Sequence, residues 1–310
     1  MKSALLCEYQ NGNVSVKIYE DGTKIRQWPD GQTPIVEYPE SCDLKITQYC
    51  DMAEVCFYCH EMSDKKGKHG DLDLIDSIWA SQLPGTELAI GGGNPLAHPG
   101  LPDFLVKMKT RGIIPNVTVN IMHMKKFAPM IRGFQHDKLI YGLGISYRGP
   151  KSLKLLPEDI CYKNVVFHMI MGIHNLDDCH AVIDWCNQRN ITPKILLLGY
   201  KTFGNGSFHY TSELREIIDN WRLIYLQNLL ENPTRIVVSF DNLAIEQLQL
   251  KDQLPSEVWN ELFQGPDQTH TFYIDAVKLE VAGTSTSSQR FPIKHSENIT
   301  EVFNKVKITL

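Results

Sequence analysis

From Asp43 to Leu198 the chain repeats one pattern, a short apolar run followed by a stretch with helical spacing. The runs are Leu44–Thr47, Glu87–Ile90, Asn116–Asn120, Ile140–Ser146, Asn164–Ile170 and Lys194–Leu198. In NLDDCHAVIDWCNQR, the residues Leu176, Cys179, Val182, Ile183 and Cys186 fall on one helix face, with Asn175 at the N-cap. LREIIDNWRLIYLQ repeats the stripe through Leu214, Ile217, Ile218, Trp221, Ile224 and Tyr225. Parallel strands need long crossovers, so this alternation predicts a parallel sheet covered by helices. Periodicity leaves a closed or partly closed barrel and an open doubly wound sheet both standing.

The flanks follow other rules. NVSVKIY and TKIRQW alternate around Glu-Asp-Gly, the signature of a β hairpin, and Pro29, Pro34 and Pro39 punctuate the strap that follows. We expect a hairpin and strap over 1–42, a core over 43–205 and an α/β extension over 206–310. In the extension RIVVSFDN reads as one more strand, PSEVWNELFQ as a helix, TFYIDAVKLEVAG as an antiparallel strand and SENITEVFNKVK as a capped final helix. A chain of 310 residues buries enough surface to fold without disulfides. Its net charge of −5 argues against a broad basic nucleic-acid face. No apolar run approaches the ~18 residues of a membrane span. The opening MKSALLCEYQNGN is too short for a signal-peptide core, so we expect a cytoplasmic protein with reduced thiols.

Of the eight cysteines, Cys50, Cys56 and Cys59 crowd into the loop after the first core strand, spaced C-x5-C-x2-C. Clustered thiolates suit iron or zinc. Cys42 lies eight residues before Cys50, roughly 26 Å away along an extended strand, too far to join the same tetrahedron. His60 adjoins Cys59 awkwardly, and His69 lies on a charged stretch. Three sulfur ligands and an open position are the better account, and an open position is a catalytic arrangement.

Here the sequence resembles the radical S-adenosylmethionine (radical SAM) superfamily, including chains of bacterial and phage type that share the hairpin and the STSSQRF segment. The resemblance implies a partial (β/α)6 TIM-like barrel and an oxygen-sensitive [4Fe–4S] cluster ligated by Cys50, Cys56 and Cys59. SAM would chelate the fourth iron, and its reductive cleavage would give a 5′-deoxyadenosyl radical that abstracts hydrogen from a substrate. The commonest family spacing is C-x3-C-x2-C, from which this loop departs. The resemblance further implies SAM contacts. Tyr58 stands at the aromatic position near adenine, and Gly91, Gly92, Gly93 and Asn94 in LAIGGGNPLAHP match the glycine-rich motif at the methionyl end. Asn120 and Ser146 end the third and fourth strands, where polar groups meet ribose or carboxylate. His168 and Ile170 lie on the adenine-lining fifth strand, and Leu198 ends the sixth. An electron donor such as flavodoxin or ferredoxin is implied too.

Each residue also has an ordinary reading: a tight turn for the glycines, strand-end caps for Asn120 and Ser146, a core histidine for His168. His98 and His123 are candidates for touching substrate. Lys65, Lys66, Lys68, Lys125 and Lys126 could flank the mouth, suiting a small molecule or peptide better than long nucleic acid. The alternative from another class is a non-catalytic zinc or iron–sulfur module for electron transfer or nucleic-acid contact.

Overall fold

The computed structural model describes residues 3–52, 54–233 and 235–308. Three antiparallel strands come first: β1 (Leu5–Asn11), β2 (Val14–Tyr19) and β3 (Lys24–Gln27), in the order β1-β2-β3. The expected hairpin is β2–β3, turning at Asp21 and Gly22, where Gly22 takes φ +89°. Strand β1 escaped sequence reading because LLCEYQN has no clean alternation.

The six apolar runs become β4 (Ser41–Thr47), β5 (Glu87–Gly92), β6 (Ile114–Asn120), β7 (Gly142–Ser146), β8 (Val165–Ile170) and β9 (Lys194–Leu198), each parallel to the next. Strand β10 (Val237–Phe240) extends the series beside β9. On the other side β11 (Thr271–Asp275) runs parallel to β4, and β12 (Glu280–Ala282) and β13 (Arg290–Pro292) follow antiparallel. Segment 206–310 thus contributes to both edges of one sheet, ten-stranded among the described residues. TFYIDAVKLEVAG, expected as a single strand, breaks into β11 and β12. The Asp275 carboxylate accepts from Val277 N and Lys278 N at 3.0 and 3.1 Å, and this Asx turn reverses the chain. The LREIIDNWRLIYLQ stripe is helical over 212–220 and 226–230, with a π-helical turn at Trp221–Tyr225. Trp221 is fully buried there and donates to His174 O at 2.8 Å.

The strand order from β4 to β10 never reverses, so it is not that of a doubly wound sheet. Right-handed crossovers that always step the same way stack their helices on one face. Helices α1 (Leu72–Trp79), α2 (Leu101–Thr110), α3 (Met124–His136) and α4 (Leu176–Asn187) share one core with Leu88, Val117, Ile145, Phe167 and Ile195. The alternate strand residues, such as Ala89, Thr118, Gly144, His168 and Leu196, face a cavity of ≈ 1350 Å³. Asp43 of β4 and Ser239 of β10 line that same cavity, so the sheet curls around it. A flat sheet would hold strands six apart roughly 29 Å from one another.

Among the described residues no strand pairing joins the two edges. Side chains and loops bridge the gap instead. Asn205 N donates to Cys59 O at 3.1 Å, Asn242 Nδ2 to Asp267 Oδ1 at 2.7 Å and Lys201 Nζ to Ser285 Oγ at 2.9 Å. At the opposite end the β1–β3 sheet closes the floor: Asn164 Nδ2 donates to Glu20 O at 3.1 Å and Lys194 Nζ to Asp21 O at 3.0 Å. No helix among the described residues is long and apolar enough to cross a membrane.

The floor is clamped by a buried pair. Arg26 Nε of β3 lies 2.9 Å from Glu40 Oε2, out of line for a hydrogen bond, while Nη2 donates to Oε1 at 3.3 Å. Both side chains are almost fully buried. Removing one partner strands the other charge, so Arg26→Met should destabilise the fold by about 3–5 kcal/mol. Arg26→Met/Glu40→Gln should recover part of that loss. Urea melts of the two variants check this, and equal stability of the single variant and the wild type would refute the clamp.

Candidate active site

The loop between β4 and α1 carries the three cysteines, and backbone bonds give it shape. Gln48 N donates to Lys68 O at 2.8 Å, Asp64 N to Gln48 O at 3.1 Å and Cys50 N to Asp64 O at 2.8 Å. The outgoing and returning arms are therefore stitched together. Within the loop Cys56 N donates to Met52 O and Cys59 N to Cys56 O, at 3.1 and 3.0 Å. These turns present Cys50, Cys56 and Cys59 to the cavity. Burial pushes the Cys50 thiol up to about 11 and raises Cys56 as well, with the Arg148 guanidinium opposing the latter shift. Among the described residues no group of three His, Cys, Asp or Glu is gathered tightly enough for one metal ion. A single tetrahedral ion would need sulfurs within about 4 Å of one another.

The other candidates occupy the same wall. Tyr58, Gly91, Gly92, Gly93, Asn120, Ser146, His168, Ile170 and Leu198 all line the cavity. Asn120 does two things: its Oδ1 accepts from Met122 N at 3.0 Å, capping the next turn, and its Nδ2 stands 3.5 Å from Cys56 Sγ. His168 lies across Gly144, where a Cβ would stand 2.6 Å from the imidazole Cε1. Burial pushes its pKa down to about 4, so the ring is neutral at pH 7.

Asn94 is the exception. It does not line the cavity; it is fully buried, and its Nδ2 donates to Asp51 Oδ1 at 3.3 Å. His123 Nε2 meets the same Asp51 oxygen at 2.7 Å, and His98 Nε2 meets Gly70 O at 3.0 Å. Both histidines hold loops, and neither lines the cavity. His69 is tied to Thr47, Nδ1 to Oγ1 at 2.9 Å. The loop lysines face elsewhere: Lys65 pairs with Glu54 at 3.3 Å and Lys126 with Asp51 at 3.3 Å. None of Lys65, Lys66, Lys68, Lys125 and Lys126 lines the cavity. Cys42, Cys179 and Cys186 are buried in the helix-side core.

Two features escaped sequence reading. Arg148, two residues beyond the end of β7, donates to Tyr58 Oη at 2.6 Å and to Val55 O. Its Nη1 stands 3.5 Å from Cys56 Sγ. The second is Lys45, almost fully buried, with Nζ 2.6 Å from Glu61 Oε2 and 3.2 Å from Asp275 Oδ2. Tyr273 Oη donates to Glu61 Oε1 at 3.0 Å. Burial opposes ionisation of Glu61, but His60 and Lys45 outweigh it and hold the carboxyl well below the usual range. The available signal was a lone lysine inside the apolar run DLKIT.

The glycines divide by function. A Cβ on Gly93 would stand 2.1 Å from Tyr49 O, and one on Gly92, at φ +114°, 2.5 Å from Thr47 O. These two let β5 approach the root of the cysteine loop, a demand of the fold itself. Gly91 has open space. Gly93→Ala should therefore cost about 1–3 kcal/mol by overpacking and disturb the Cys50 backbone. Gly91→Ala should stay within about 0.5 kcal/mol of the wild type. Thermal melts of both variants check the contrast.

No protein-family model and no curated protein matches the chain. Solved structures do, among them three of Streptococcus suis SuiB, one bound to S-adenosylmethionine and one bound to precursor peptide SuiA. TM-scores are 0.58, 0.56 and 0.57 at 11%, 11% and 13% identity, over 87% of this chain in each case. The chain spans 66%, 65% and 66% of the SuiB chains, slightly under two thirds. At such identity the likeness is one of fold.

Proposed function

We propose that this chain is a radical SAM enzyme built on a partial (β/α)6 barrel at 43–205, with the β1–β3 element and the 206–310 extension completing the cavity. One observation carries the reading: the thiols of Cys50, Cys56 and Cys59 open into the same cavity as Gly91, Ser146, His168 and Leu198, residues that the family resemblance assigns to SAM. The fold's similarity to a SuiB structure with S-adenosylmethionine bound supports it.

The residues present fit the implied group. Sulfur donors on one loop suit iron, and Asn120 Nδ2 and Arg148 Nη1 stand where they would hydrogen-bond a ligating Cys56 sulfur. Cys42 belongs to the helix-side core, so it is no fourth ligand from the cavity side. When bound, a [4Fe–4S] cluster would supply the electron for reductive cleavage of SAM. The chain's own work is to hold the loop, through Lys45, Glu61 and Arg148, and to shield the site from water with the β1–β3 floor. The electron would come from a flavodoxin or ferredoxin type of donor. A peptide or small-molecule substrate suits the cavity, and the SuiB structure bound to its precursor peptide favours a peptide. The chemistry suits a reducing cytoplasm.

Anaerobic reconstitution tests the reading by iron and sulfide content and by 5′-deoxyadenosine release. Cys50→Ala, Cys56→Ala and Cys59→Ala should each abolish the intact cluster and SAM cleavage, whereas Cys42→Ala should retain both. Iron lost in Cys42→Ala but kept in Cys50→Ala would sink the ligand assignment. Arg148→Met removes a positive charge and a donor beside Cys56, so the cluster's reduction potential should move to more negative values. Electrochemical titration of the two proteins reads that shift.

A further inference from the structure

Asp43 is the odd group in the cavity wall. It lies on β4, four residues before the strand ends at Thr47, or about 13 Å below the cysteine loop's root. Its side chain is exposed and opens into the cavity, and its carboxylate makes no hydrogen bond or ion pair among the described residues. Its register neighbour on β5, Ala89, is small and leaves space beside it. On the other side stands Tyr273 of β11, whose hydroxyl is taken by Glu61.

The charged groups facing Asp43 are Lys201, Asp241 and Asp267. None of the three makes a direct hydrogen bond or ion pair with Asp43, and each has its own hydrogen-bond partner. Lys201 Nζ donates to Ser285 Oγ at 2.9 Å. Asp241 Oδ1 accepts from Gly199 N at 2.9 Å and from Ala244 N at 2.7 Å, capping the helix at 242–248. Asp267 Oδ1 accepts from Asn242 Nδ2 at 2.7 Å. Asp43 thus lacks a direct partner, and the charges around it are one lysine and two aspartates.

Resting on the reading that this cavity receives the substrate, we propose that Asp43 anchors a cationic nitrogen of the substrate, an ammonium or guanidinium, below the cysteine loop. A ligand filling the cavity strips solvent from this exposed carboxylate, which is costly, and a cation brought by the ligand offsets that cost. In keeping with this, burial and the two neighbouring aspartates push Asp43 up to about 6, with Lys201 opposing. A neutral ligand would leave the cost in place. The group would also fix the distance between the anchored nitrogen and the reacting end of the substrate.

The test titrates the full-length protein, with and without SAM, by ligand-observed NMR. The probes are n-pentylamine, N-acetyl-lysine-N-methylamide, N-acetyl-arginine-N-methylamide and the uncharged N-acetyl-norleucine-N-methylamide. At least one cationic probe should bind tenfold or more tightly than the norleucine probe. Asp43→Asn should erase that preference and Asp43→Glu should keep most of it. A preference for pentylamine marks a small free amine, and a preference for the lysine or arginine frame marks a peptide. Equal binding of the norleucine probe, no binding of any cationic probe, or an unchanged preference in folded Asp43→Asn overturns the anchor. The wild-type comparison stands even if both variants misfold. Failure of the wild type to take up iron or cleave SAM overturns the preceding reading instead, and the titration decides the anchor independently.

Discussion

Six crossovers that all step in one direction can cover only one face of a sheet. The architecture depends on this constraint, because every crossover from β4 to β10 places its intervening segment on the same side. Leu88, Val117, Ile145, Phe167 and Ile195 pack there under the helices, and each such side chain contributes about 1.5–3 kcal/mol of burial. The uncovered face must curl upon itself or meet water. It curls, and its two edges are held by loops and side chains rather than by strand pairing.

The inner face is a cavity because of what its residues lack. Full barrels fill their interior with layers of Val, Ile and Leu. Here Ala89, Gly91, Thr118, Gly142, Gly144 and Ser146 stand at those positions, and their small volume leaves the space open. The helix-side core supplies the stability that the hollow side cannot. The β1–β3 sheet seals one end through Arg26 and Glu40, so the cysteine loop lies at the other.

That loop is long, yet it is tied at several points. Its root is fixed by the close passage of Gly93 against Tyr49 O, its middle by Arg148 on Tyr58 and Val55, and its far part by Glu61 on Lys45. The contact with Lys45 spans two strands, since Asp275 of β11 shares the lysine. A chain segment brought in after residue 270 therefore helps position a loop that precedes residue 70. Removing any one tie would leave the thiols attached but less well aimed.

The sequence alone determined the strand–helix alternation, the helix stripes with the Asn175 cap, and the gathering of three thiols in one loop, because each is a local pattern with a fixed period or spacing. It also identified Tyr58, Asn120, Ser146, His168, Ile170 and Leu198 as candidates, all of which face the cavity. Their strand-end or inward positions follow from two-residue alternation once the first strand is placed. Contacts between residues distant in the chain were beyond it. Nothing in YRGP says that Arg148 reaches a cysteine 92 residues earlier, and nothing in GGGN says that Asn94 turns from the cavity toward Asp51. The same holds for β11 inserting beside β4, which no periodicity encodes. Hydrogen bonding and charge pairing across the curled sheet decided these, since they depend on which ends the curvature brings together.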